Sequence, residues 1–137
     1  MTLTIPFNRG RIAILSDLHA NTYEHRGTDP IASLGLHAVV NDTLDALIIA
    51  EDLTDGPAPR CVKALAQLTP HIAPERIYVM PRNHDYYGGT LSDDYLLAKH
   101  TRSVGAHYVQ KEDLHHGDTR FLCCTLGTDF VLLGDDE

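Results

Sequence analysis

The stretch Arg11-Ile12-Ala13-Ile14-Leu15-Ser16-Asp17-Leu18-His19 decides how the rest of the chain is read. Its first five residues form a short, branched run without polar alternation, the pattern of a strand buried on both faces, and Ser16-Asp17 stops it. The same pattern returns twice: Ala46-Leu47-Ile48-Ile49-Ala50 ends in Glu51-Asp52, and Arg76-Ile77-Tyr78-Val79-Met80 ends at Pro81. Between the first two runs, His19 to Thr28 reads as a polar, glycine-containing loop. Asp29-Pro30 then reads as an N-cap followed by Pro at the first helical position. Ile31, Leu34 and Ala38 recur at helical spacing, which predicts a helix to about Val40. Between the second and third runs, Gly56-Pro57 and Pro59 mark a loop. Val62, Leu65 and Leu68 or Thr69 outline an amphipathic helix that Pro70 closes. Strand, helix, strand, helix, strand predicts an α/β fold whose parallel-rich sheet is built from right-handed βαβ crossovers.

Downstream, a third helix is predicted from Ser92 to about Thr101, with Leu96 and Leu97 facing inward. His107–Gln110 and Arg120–Leu126 are strand candidates separated by a polar turn, Lys111–Thr119, and Phe130–Leu133 is the last apolar piece. The 137 residues fit one domain spanning 1–137, and 43% hydrophobic with 22% charged residues describes an ordinary soluble chain. Eleven Lys and Arg against nineteen Asp and Glu leave a net charge of -8, which argues against nucleic acid or an anionic membrane as partner. Met1–Gly10 carries no apolar run of a secretory signal, and Ala46–Ala50, the longest aliphatic stretch, is far too short to span a bilayer. Cys61, Cys123 and Cys124 form no CxxC pair and read as buried, reduced thiols, so a cytoplasmic location is expected.

In a parallel sheet the carboxyl ends of the strands share one edge, and ligands bind beyond it. The residues just past each strand therefore carry the functional signal. The first strand delivers Asp17 and His19, the second Asp52 and Asp55, the third Asn83, His84 and Asp85. A lone Asp after a strand is commonly a turn former. Three successive strand ends carrying carboxylate, imidazole and amide groups instead describe a set of ligands for divalent cations. The composition agrees in kind, with nine His in the chain and Asp far outnumbering Glu. Two such cations suit phosphoester cleavage, since they activate a water and neutralise charge on phosphorus.

Ser16-Asp17-Leu18-His19, Asp52-Leu53-Thr54-Asp55 and Asn83-His84-Asp85 resemble, in order and strand context, the first three motifs of the calcineurin-like metallophosphoesterases, D-x-H, G-D-x-x-D/N and G-N-H-D/E. Arg120–Phe130 also looks like a segment of that family. The resemblance implies an α/β sandwich with the site at its edge. It implies that Asp17 and His19 bind a first metal ion, that Asp52 bridges to a second held by Asn83, and that His84 protonates the leaving group or steadies the transferred phosphoryl. The implied cofactors are Mn, Fe, Zn or similar ions, and the implied reaction is hydrolysis of phosphate mono- or diesters.

The chain departs from the family in three places. Glu51 and Arg82 stand where the family has glycines. No G-H-x-H segment follows Asn83, and His100, His107, His115 and His116 read as solvated or packing residues. The expectation is therefore a C-terminally incomplete domain with one metal ion rather than two. Its uncovered edges would promote self-association or pairing with another chain. The alternative function is a catalytically inactive remnant that binds a metal or a partner. A receiver-like domain fits worse, because Asp17 has no adjacent acid and no Lys occupies a suitable strand end.

Overall fold

The computed structural model describes residues 2–51, 53–54, 59–80 and 94–123. Four strands, β2 (Ile12–Ser16), β3 (Ala46–Glu51), β4 (Ile77–Val79) and β5 (His107–Tyr108), form a parallel sheet in that order. β1 (Thr2–Thr4), β6 (Glu112–His116) and β7 (Thr119–Cys123) form a second sheet in the order β1-β6-β7, parallel between β1 and β6 and antiparallel between β6 and β7. The chain is thus α/β, with one parallel and one mixed sheet.

The period-two alternation of a strand explains the layers. Leu47 and Ile49 of β3, with Ile77 and Val79 of β4, join a core that holds Ala20, Ile31, Cys61, Ala64, Leu65 and Leu68 from the helical segments. Ala46 and Ile48 of β3, with Tyr78 of β4, face the opposite way and pack with Ile5, just past β1, and with Leu114 and Cys123 of the three-stranded sheet. Helices cover one face of the parallel sheet and a second sheet covers the other. The strand order advances steadily with the sequence, so right-handed crossovers would bring every connecting helix to the same face. The other face then needs a different cover, and β1, β6 and β7 provide it.

Several sequence expectations need correction. The run Arg11–Leu15 does form a strand, but the outer one among the described strands: Ile14 is 54% exposed, since no described strand pairs beyond it. The predicted loop His19–Thr28 contains a helix, α1 (Ala20–Arg26). Gly27, at φ 64, closes it: its N–H donates to the Glu24 carbonyl and the N–H of Thr28 to that of Tyr23, so the glycine marks a helix end. The helix predicted to reach Val40 is only α2 (Pro30–Ser33), with Asp29 capping the N–H groups of Ile31 and Ala32 as expected. Gly35, at φ 67, breaks it, and turns carry the chain on to Val40. Leu34 is consequently half exposed, whereas Ile31 and Val40 remain buried.

The helix α3 (Arg60–Ala66) buries Leu65 as predicted, and Leu68 is buried just beyond it. The helix α4 (Asp94–Ser103) packs Leu97, with Leu96 beside it, against Tyr108. The segment read as a polar turn, Lys111–Thr119, is mostly β6, with only Gly117-Asp118 turning between strands. Its alternation is real, since Leu114 and His116 point inward, but a histidine supplies one of the buried positions. Cys61 and Cys123 are buried, while Cys124 and Phe130–Leu133 lie outside the described residues. Among the described residues no helix is long and apolar enough to cross a membrane.

Candidate functional site

Ser16 ends β2 opposite Glu51, which ends β3, after a register shift between Leu15 and Ser16. Beyond Ser16 the backbone takes a shape that L-residues rarely adopt. Asp17 has φ 55 and His19 has φ 47, both left-handed, with Leu18 between them buried against the helix-side core. Each such residue costs on the order of 1 kcal/mol, and such outliers gather at functional sites. The result is a tight corner in which Leu18 anchors the segment. Asp17 Oδ1 and His19 Nε2 come to 4.0 Å from one another, with the His19 side chain about one-third exposed and that of Asp17 more than half.

The corner is tied to the neighbouring strand end from both sides. Glu51 pairs with Ser16 ahead of the corner. Behind it, the N–H of Ala20 donates to the carbonyl of Leu53 at 2.8 Å, and the Thr54 hydroxyl donates to Asn21 Oδ1 at 3.4 Å. Leu53 and Thr54 are themselves buried, so this stitch is part of the core and not a surface contact. The chain neighbours of Asp52 on either side are therefore bonded to the chain neighbours of the Asp17–His19 segment on either side.

Asp52, Asp55, Asn83, His84, Asp85 and Arg82 lie outside the described residues, as does the side chain of Glu51. Asp17 and His19 are thus the two predicted ligands that the structure brings together. A carboxylate oxygen and an imidazole nitrogen are the donors that Mn, Fe and Zn ions accept. Neighbouring donors on bonds of about 2.1 Å lie roughly 3.0–3.4 Å apart at octahedral or tetrahedral angles, so at 4.0 Å the pair would share one ion only after a small side-chain rotation. Among the described residues no group of three or more His, Cys, Asp or Glu is placed to hold one, so further ligands would have to come from other residues.

Of the histidines read as solvated or packing residues, His107 packs as expected and His116 does more. His107 stacks on Tyr78 with ring centroids 4.4 Å apart and donates through Nε2 to the Glu75 carbonyl at 2.9 Å. His71 bonds the Asp29 carboxylate and packs beside His37. Burial works to raise the Asp29 pKa, but the His71 hydrogen bond and the capping N–H groups outweigh it and hold the carboxyl below its ordinary value.

His116 is the exception. It is 6% exposed, and its Nε2 lies 2.8 Å from Asp45 Oδ2, a contact spanning the two sheets that no local pattern signals. Asp45 also accepts the backbone N–H groups of Asn8, Arg9 and Gly10 at 2.9–3.1 Å, which fixes the connection between β1 and β2. Burial would raise the Asp45 pKa. The hydrogen bond from His116 and those from Arg9, Gly10 and Asn8 overcome that and hold the carboxyl far below the usual carboxylate range.

Comparison of the chain with protein-family models, with curated proteins and with solved structures returns no match.

Proposed function

We propose that the chain is a metal-dependent phosphoesterase of the calcineurin-like type, hydrolysing phosphate mono- or diesters. The observation that carries this reading is the strained Asp17-Leu18-His19 corner, stitched on both sides to the chain neighbours of Asp52. The layer order, helices on one face of the parallel sheet and a second sheet on the other, supports the same reading. In it Asp17 and His19 would hold one divalent ion, and Asp52 and Asn83 would supply carboxylate and amide oxygens to the metal site. When bound, such an ion supplies Lewis acidity and a water acidified toward neutral pH. His84 holds a proton for the leaving oxygen. The partly exposed Asp17 and His19 face solvent, which leaves a phosphate ester room to reach them.

A second reading, an inactive module that binds a partner, draws on Ile14 of β2 and Leu122 of β7, which are 54% and 70% exposed on outer strands. Light scattering at micromolar concentration addresses it directly, since that reading expects association and a single sharp monomer peak counts against it.

The deciding experiment is an assay of Mn²⁺-reconstituted protein on a bis-aryl phosphodiester and an aryl phosphomonoester, with Asp17→Asn and Asp52→Asn in parallel. The proposal expects metal-dependent turnover that falls by at least about a hundredfold in either variant. Equal rates in all three proteins would overturn it.

A further inference from the structure

Three arginines from separate parts of the chain converge on the turn that precedes β3. Arg9 Nη1 and Arg76 Nη1 each donate to the same carbonyl, that of Asp42, at 2.9 Å. Arg76 reaches on toward the Leu44 carbonyl at 3.5 Å, and Arg11 Nη1 donates to the Thr43 hydroxyl. The turn itself is braced by Asn41, whose side chain accepts the N–H of Thr43 at 2.9 Å. These contacts hold long, flexible side chains in one place and remove most of the conformational entropy that a ligand would otherwise have to overcome.

The gathering of charge is unusual for a chain of net charge -8. Among the described residues none of the ion pairs includes Arg9, Arg11 or Arg76. Asp42, exposed on the same turn, forms none with them. The nearby Asp45 carboxylate is already enclosed by three backbone N–H groups and the His116 imidazole. Each guanidinium commits Nη1 to the turn, and among the described residues no other hydrogen bond engages the rest of the fork, whose planar shape matches phosphate oxygens.

We propose that Arg9, Arg11 and Arg76 form a binding site for a phosphate-bearing anion, separate from the candidate metal site. The two sites lie at opposite ends of β2, because Arg11 precedes the strand and Asp17 follows it. Five residues at about 3.3 Å each place them roughly 16 Å apart. The site takes small multivalent phosphates in preference to monovalent anions, since three guanidinium groups face one turn. Its affinity falls with ionic strength, as expected for partly exposed charges.

The test uses the full chain in EDTA, so that its outcome is independent of metal binding and of phosphoesterase activity. Inorganic pyrophosphate is titrated while the arginine Nε–Hε resonances are followed by NMR. The resonances of Arg9, Arg11 and Arg76 should move together along one saturation curve, with Kd about 1 mM or tighter at low salt. Those of the exposed Arg26, Arg60 and Arg102 should move far less. Arg9→Gln with Arg76→Gln should weaken binding at least about tenfold. Resonances that stay still, or that move no more than those of the other exposed arginines, overturn the proposal. So does a folded double variant with unchanged affinity. Should that variant fail to fold, Arg9→Lys with Arg76→Lys decides: it keeps both charges and loses the forks. A weakening of at least about threefold supports the site, and unchanged affinity overturns it.

Discussion

Two Asp–His pairs sit at opposite ends of the same parallel sheet, and they are built to opposite rules. At the carboxyl end, Asp17 and His19 stand 4.0 Å apart on a left-handed backbone, with side chains 56% and 34% exposed. At the amino end, Asp45 and His116 meet at 2.8 Å with side chains 2% and 6% exposed, and Asp45 accepts three backbone N–H groups besides. The first pair carries strain and leaves its donors accessible. The second is saturated and dry. Identical residue types thus serve as a candidate ligand set in one place and as a lock between two sheets in the other, and what separates them is burial and the backbone around them.

Removing one pair should have consequences unlike those of removing the other. Asp45→Ala removes the acceptor of three part-buried backbone N–H groups and of the buried His116 imidazole, so unfolding free energy should drop by about 3 kcal/mol, read from urea denaturation. A wild-type value retained within about 0.5 kcal/mol would mean that the two sheets are held together by apolar packing alone.

Acid should expose the same lock. A carboxylate whose folded pKa lies below its ordinary value adds stability that is complete above pH 3.8 and is lost as pH falls through the folded pKa. The difference in urea midpoint between wild type and Asp45→Asn should therefore be constant near neutrality and shrink below pH 3.8. A gap that stays constant down to about pH 2 would show that Asp45 does not titrate with folding.

A smaller effect is expected at the ring that seals the lock. Phe7 packs on His116 with centroids 4.7 Å apart, and a Cβ on Gly117 would meet the Phe7 ring at 3.0 Å while forcing an L-residue to φ 57. Gly117→Ala should lower stability by about 1–2 kcal/mol, visible as a fall in Tm. Finally, Asp17→Gly should leave stability unchanged or raise it by up to about 1 kcal/mol, because glycine adopts the left-handed conformation without strain. The same substitution should abolish Mn²⁺-dependent phosphoesterase turnover. A clear loss of stability in Asp17→Gly would instead make the corner a structural feature like its buried counterpart.

The strands and the carboxyl-end residues were legible because each depends on local pattern. Ile12–Leu15, Ala46–Ala50 and Ile77–Val79 announce themselves by branched apolar runs, and Asp17-Leu18-His19 comes directly after the first. α1 was not legible, since Ala20 is its one buried residue and so small a side chain hardly registers as an apolar face. β6 was hidden for a related reason: Glu112-Asp113-Leu114-His115-His116 has a strand's alternation, but a histidine fills one inward position. Nothing local to His116 says that a carboxylate waits for it in another sheet.

The amino-acid sequence by itself determined the α/β class, three of the parallel strands, the helix between the second and third, and the Asp17-Leu18-His19 segment directly after the first. These rest on periodicities of two to four residues and on turn chemistry, which a chain expresses whatever its distant parts do. Tertiary structure alone decided that Ile14 lies on an outer strand, that Arg9, Arg11 and Arg76 share a turn, and that Asp45 is buried against His116. Each of these depends on which residues distant in sequence come to share a dry interior or a common edge. Burial sets the energy of a charge or a polar group, and burial belongs to the assembled fold.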